Sequence, residues 1–229
     1  PLDNLVLVSN FQKKIFLPQE NKFFLKNFRL QDSDDNAFFV YEKEKKTLTK
    51  LQFSKEGLKS LEKYNLRLEN HNEFLSLNIH FPNIYFLDQS SVVWEGNLET
   101  LKFYPLLNLE RIGIKQIPNE FEADSAFWFL NSNQKIIYKY QNGKVEKFDL
   151  NGIFPKIIKP QSLKTRASFK FIYFSDPLTK RVIALDKSSG SIKQWQLSEI
   201  PTIKDFCLSS NGKDIYILAN NIVYKFRAE

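Results

Sequence analysis

The residues that could do chemistry are few and scattered. His71 and His80 are the two histidines, and neither has a cysteine or a second histidine at ligand spacing, so no metal site is expected from them. Asp32-Ser33-Asp34-Asp35-Asn36 resembles the start of a calcium loop, but the glycine is missing and Lys43 stands where a bidentate glutamate belongs. A polar turn before Phe38 is the better reading. Cys207 is the single cysteine and excludes an internal disulfide. Its flanks, Phe206 and Leu208, suggest a small buried thiol rather than a nucleophile, which needs a basic, partly open setting.

There is no glycine-rich phosphate loop, no Gly-x-Ser-x-Gly and no His-Glu-x-x-His, so no cofactor and no catalytic residue is assigned. Paired carboxylates for glycoside chemistry would leave no local signature, and nothing marks a pair. Trp94, Trp128 and Trp195 could build a stacking platform. Trp128 falls at a core position, and Trp195 is the one expected to be most exposed. For a weak anionic site the candidates are Arg111 and Arg166, each expected in an irregular connection between units, where rim loops form. Two groups of cations stand out: Lys43, Lys45 and Lys46, and then Lys156, Lys159, Lys164 and Arg166 in a proline-containing connection. Both read as solvated surface.

The net charge of +7 invites a nucleic-acid reading. Lysines number 27 against 6 arginines, and asparagines number 20. That bias fits an AT-rich coding sequence and raises the isoelectric point without selecting a partner. Arginine, the residue for forked phosphate contacts, is scarce. Specific nucleic-acid binding is therefore not expected. No apolar run approaches the roughly 18 residues of a membrane span. There is no methionine, even at position 1, so the chain is expected to be a piece of a longer one.

These residues must be positioned by short strands. From Phe169 onward, strands alternate with turns such as Asp186-Lys187-Ser188-Ser189-Gly190 and Asn211-Gly212, where positive φ is tolerated. Aromatic strand centres recur at Phe39, Tyr85, Trp128, Tyr173 and Tyr216, spaced 46, 43, 45 and 43 residues apart. An earlier copy fits at Leu5-Val6-Leu7. A second strand follows each centre: Ile15, Leu48, Val93, Ile137, Val182 and Val223, seven to nine residues on. A third is expected at Lys22–Leu30, 98–104, 144–150 and 191–197. Ser54–Asn72 reads as a short helix or an untidy outer strand, and 106–123 as irregular.

A period near 43 with about four strands per copy is the mark of a β-propeller. One four-stranded sheet cannot bury both its faces, whereas radial stacking buries them between neighbours. The expectation is an all-β fold: a single β-propeller domain over residues 1–229 with five or six blade-like units and incomplete ends. The aromatic centres are expected in equivalent second-strand positions between blades.

Phe171-Ile172-Tyr173-Phe174-Ser175-Asp176, then Arg181 to Lys187, then Ser189-Gly190, resembles blades of the broad NHL and YVTN-type propeller class. Residues 205–226 form a similar, shorter copy. The stretch is also similar to propeller regions of uncharacterised proteins from small-genome bacteria. The resemblance implies fold, and carries over no catalytic residue. Together these readings favour a non-enzymatic recognition or scaffold module, binding a protein or small ligand at the propeller rim or funnel. The alternatives are a hydrolase or lyase in the funnel, and nucleic-acid binding through a basic face.

Overall fold

The computed structural model describes residues 6–8, 14–16, 28–32, 37–42, 46–54, 57–66, 74–80, 82–219 and 222–228. They form strands throughout, with one single-turn 3-10 helix and no α-helix among them. β1 (Val6–Val8) pairs with β2 (Lys14–Phe16). Four four-stranded antiparallel meanders follow. The first is β3 (Phe28–Asp32), β4 (Ala37–Glu42), β5 (Thr47–Ser54) and β6 (Gly57–Asn65). Next come β7 (Phe74–His80), β8 (Asn83–Asp88), β9 (Val92–Asn97) and β10 (Lys102–Asn108). The third holds β11 (Glu120–Ala123), β12 (Phe127–Asn131), β13 (Ile136–Gln141) and β14 (Lys144–Asp149). The fourth holds β15 (Gln161–Lys164), β16 (Phe171–Asp176), β17 (Arg181–Asp186) and β18 (Ile192–Gln196). The last sheet has three strands: β19 (Asp205–Leu208), β20 (Asp214–Ala219) and β21 (Ile222–Arg227). β3–β10 fall in one compact unit and β11–β21 in a second.

All five aromatic centres sit on the second strands of their sheets, β4, β8, β12, β16 and β20. Leu48, Val93, Ile137, Val182 and Val223 sit on the third strands. Each pairs with the residue two beyond its centre: Tyr41, Leu87, Leu130, Ser175 and Leu218. The register is therefore constant across the sheets, and the hairpins absorb the differing offsets. Val6 and Ile15 lie on β1 and β2. Of the two readings of Ser54–Asn72, the untidy outer strand is the one found among its described residues: Gly57–Asn65 is the outer strand β6, with a register shift against Lys50/Leu51 of β5. One expectation needs correction. Of Lys22–Leu30, residues 28–30 open β3, the first strand of the next sheet, and 22–27 lie outside the described residues. The Asp32–Asn36 turn falls, after Asp32, outside them too, as do Lys43, Lys45 and His71.

Strand alternation explains how the sheets stack. Successive side chains point to opposite faces, so one strand serves two seams. In the second unit, Trp128, Leu130 and Ile137 from one sheet meet Leu163, Ile172, Phe174, Ile183 and Leu185 of the next. The opposite face of that same sheet, with Tyr173, Val182 and Ala184, meets Phe206, Ile215, Ile217 and Ala219. The first unit repeats the arrangement: Phe39, Tyr41 and Leu48 pack on Leu77, Ile79, Ile84 and Phe86. β17 is buried along its whole length because both its faces are covered. Burying such a Val, Ile or Leu side chain contributes roughly 1.5–3 kcal/mol. First strands are neighbours across these seams: β3 with β7, and β11 with β15 with β19.

Strand ends are closed by Asp and Asn side chains that accept turn amides, the usual role of these residues in turns. Asp88 accepts from Ser90 and Val92, Asn97 from Glu99 and Thr100, Asn131 from Gln134, and Asp186 from Ser188 and Ser189. In an up-and-down meander, second-to-third hairpins share one end of the sheets with the connections to the next sheet. That end is called the connection end below.

Candidate functional site

The most elaborate structure at the connection end of the second unit is built on an ion pair. Asp176 ends β16, Arg181 begins β17, and the two are cross-strand partners. Between them runs the turn Pro177–Thr179, with Lys180 in the left-handed region at φ 51°. Both charged residues are buried, with Arg181 1% exposed and Asp176 fully covered. Burial of charge is costly unless every group is satisfied, and here the satisfaction comes from the β14–β15 connection, residues 150–160. Arg181 Nη1 donates to the Pro155 carbonyl (2.7 Å) and to Gln194 Oε1 (2.5 Å). Nη2 donates to the Lys156 carbonyl at 2.8 Å and lies 3.4 Å from Asp176 Oδ2, and Nε donates to Thr179 Oγ1 at 2.9 Å. Asp176 in turn accepts from the backbone amides of Ile158 (2.9 Å) and Lys159 (3.0 Å) and from the Thr179 hydroxyl (2.7 Å). Gln194 Nε2 donates to the Phe154 carbonyl, and the Ser132 hydroxyl to the Pro160 carbonyl.

The connection thus has both its carbonyls and its amides tied to the sheet. Leu150 and Ile157 are buried in the seam between sheets, and Ile153 packs against it. Neighbouring apolar residues face out: Phe154 is 89% exposed, Ile158 43%, and Leu178 on the adjoining turn 67%. Pro155, Lys156 and Lys159 are exposed as well. Residues 150–164 hold no Asp or Glu, nor do 177–185. The carboxylate just before the connection, Asp149, accepts the Asn151 amide and side chain, and these hydrogen bonds hold it below the usual carboxylate range.

The expected cationic group of Lys156, Lys159, Lys164 and Arg166 does not assemble, because β15 carries it from one end of the sheet to the other. Lys156 and Lys159 stay at the connection end. Lys164 lies within β15, 3.8 Å from Glu122 on β11. Arg166 follows β15 at the opposite end, half-buried, where its carbonyl accepts from Lys187 Nζ. Arg111, in the other unit, is exposed after β10, its backbone amide held by Asn108.

At the end where Arg166 lies, a second, partly buried pair joins neighbouring sheets. Asp124, just past β11, meets Lys187 Nζ at 2.5 Å and accepts from the Thr165 hydroxyl, the Ala126 amide and Trp128 Nε1. Burial opposes its charge, but the Lys187 ammonium and these donors outweigh burial and hold the carboxyl below its ordinary value.

The tryptophans do not form a platform. Trp128 is buried, and Trp94 donates to Asp88 Oδ2. Trp195, expected to be the most exposed, is half-buried: it stacks on Tyr173 at 6.3 Å and meets Phe226. The contact depends on Phe226 of the next sheet as well as on Tyr173 of its own. Cys207 is exposed, contrary to expectation, because it alternates with the buried Phe206 on β19. His80 lies exposed at the end of β7, edge-on to Tyr85. Among the described residues, no group of three or more His, Cys, Asp or Glu gathers as a metal site would. No described helix is long and apolar enough to cross a membrane.

This geometry, sheets stacked face to face with first strands adjacent, defines the β-propeller class, and solved structures agree. The chain is similar to the β-propeller domain of Cps50 (Swd1) from Myceliophteria thermophila, with a TM-score of 0.57 and 14% identity over 88% of this chain. It spans 64% of that domain's chain. It is also similar to a chain of the nidogen/laminin complex, with a TM-score of 0.60 and 9% identity, covering 82% of this chain and 72% of that one. At such identities the likeness concerns the fold. No protein-family model matches the sequence, and no curated protein matches it.

Proposed function

We propose that this chain is a non-enzymatic recognition module that binds a protein partner through loops at the connection end of its blades. The observation that carries this reading is the β14–β15 connection. Its backbone is anchored by a buried ion pair while two of its large apolar side chains, Phe154 and Ile158, are exposed to solvent. Anchored loops on a rigid frame bind at low ordering cost, since the bound conformation is already formed. The similar structures include a protein–protein complex, which accords with this reading. With it goes a single propeller over residues 1–229, of about six blade units of the NHL or YVTN kind, with β1 and β2 supplying part of one. The strand period and the constant register support that count.

The test is site-specific photocrosslinking. A photoreactive phenylalanine analogue is placed at position 154, and at position 145 on the exposed strand β14 as a control. Discrete protein adducts from 154 and none from 145 are expected. Equal, diffuse labelling from both positions refutes the reading. So does turnover of a generic ester, phosphate or glycoside substrate by the purified chain.

A further inference from the structure

We infer that the partner of the Phe154 surface is an acidic peptide segment carrying large apolar side chains. The inference rests on the recognition reading and names the chemistry of what is recognised. Three large apolar groups, Phe154, Ile158 and Leu178, stand exposed. All three are referred to one anchor. The Phe154 carbonyl accepts from Gln194, which itself touches Arg181, the Ile158 amide donates to Asp176, and Leu178 sits in the turn between Asp176 and Arg181. Nearby residues of the same connection, Ile153 and Ile157, turn inward. The chain thus divides its apolar residues between core and solvent, and the anchored backbone keeps the exposed ones from collapsing inward.

Charge selects among partners. Lys156 and Lys159 are exposed among these apolar groups, and Lys180 lies on the same hairpin. No carboxylate occurs in either segment to neutralise them. Asp176, the carboxylate that the connection's backbone contacts, is fully covered and engaged by Arg181 and two amides. An acidic segment therefore meets unopposed positive charge, and an acidic segment with apolar side chains meets both halves of the surface. Nucleic acid is a poorer match: Ile158 and Leu178 offer no ring to stack on, and the one arginine of the site is buried and committed. An anionic membrane is poorer too, since polybasic docking uses clusters of roughly four to eight cations. The surface is small beside the roughly 800 Å² per partner of a stable interface, so the contact is a short peptide bound weakly.

The probe is a fluorescein-labelled peptide of about twelve residues, Asp and Glu flanking one Leu and one Phe, followed by fluorescence anisotropy from about 50 to 200 mM salt. Two comparison peptides replace the acids with Asn and Gln, or the Leu and Phe with Ser. The protein is wild type, Phe154→Ser, Lys156→Glu with Lys159→Glu, and Val145→Ser as a surface control, each checked by its thermal transition. Wild type and Val145→Ser should bind the acidic-apolar peptide. Both patch variants should bind at least about tenfold more weakly, as should wild type with either comparison peptide. Phosphatidylserine vesicles and an oligothymidylate run alongside, and tighter binding of either than of the peptide overturns the inference. Equal binding by Phe154→Ser and Val145→Ser overturns it as well. A photoadduct at position 154 that the acidic peptide fails to compete away leaves recognition standing and removes this partner class. Absence of any adduct there removes recognition itself.

Discussion

Replacing Arg181 with methionine tests the anchor under the exposed loop. The side chain is 1% exposed and its partner Asp176 is fully covered. Removing one member of a buried pair generally costs about 3–5 kcal/mol, because the other charge is left uncompensated. Here the cost should fall near the lower bound. Asp176 would keep the Ile158 and Lys159 amides and the Thr179 hydroxyl as donors. The Pro155 and Lys156 carbonyls, which lose their guanidinium donor, belong to exposed residues that water can reach. The expected loss is therefore about 3 kcal/mol in urea unfolding, read from tryptophan fluorescence by linear extrapolation. Arg181→Met combined with Asp176→Asn should cost about 1–3 kcal/mol less than the sum of the single changes, as coupled neighbours do. Hydrogen exchange supplies a local readout: the amides of Ile158 and Lys159 should lose protection ahead of the rest of the second unit. A loss under about 1 kcal/mol, strict additivity, or unchanged exchange at these two amides would show that the pair does not hold the connection.

Three further changes probe the frame. Trp128→Ala should cost about 3–5 kcal/mol in equilibrium unfolding, since the indole is 1% exposed within the seam, and a value under about 1 kcal/mol would contradict its burial. Gly96→Ala should cost about 1–3 kcal/mol, because Phe103 lies directly opposite on β10 with its ring over the glycine, where a Cβ would overlap it; a neutral thermal shift would be inconsistent with that packing. Asp124 contributes through its lowered folded-state value: its stabilisation is complete above the unfolded carboxyl value of about 3.9 and is lost as pH falls through the lower folded one. Asp124→Asn should therefore lower stability at pH 7 and flatten the acid limb of the stability profile, and parallel profiles for variant and wild type would refute the assignment.

Much of the frame is legible in the sequence because strand pairing repeats locally. Phe39, Tyr85, Trp128, Tyr173 and Tyr216 mark second strands, and their followers mark third strands, since each hairpin is short and its register constant. Gln134, Ser188 and Ser189 could be foreseen as turn donors from the preceding Asn131 and Asp186. What is illegible is whatever depends on partners distant in the chain. The residues that define the anchor, Asp176 and Arg181, look like ordinary turn residues; their role comes from Pro155, Lys156, Ile158 and Lys159, some 17 to 26 residues earlier. Of the two arginines singled out by their setting, Arg111 does lie in a connection between sheets, but Arg166 lies in the hairpin between β15 and β16 of a single sheet, while the arginine with the richest contacts lies on a strand. Lys156 and Lys164 look like one cluster until β15 is recognised as a strand that separates its ends. Cys207 and Trp195 fail for a related reason: exposure on a first or outer strand depends on which neighbour covers it.

The sheet of β15–β18 lies between two others, and its odd and even positions answer to different neighbours. Tyr173 and Phe174 are bonded to one another yet report to separate seams. In evolutionary terms, each strand is two interleaved texts under independent selection. Substitutions at Tyr173 should co-vary with positions such as Ile215 and Ile217, and those at Phe174 with Trp128 and Leu130, while the adjacent pair drift without reference to each other. A blade duplicated or exchanged whole would bring one compatible face only if its new neighbour had diverged little. Recombination within this lineage is thus favoured between seams already alike, and point substitution is left to adjust the seams that are not.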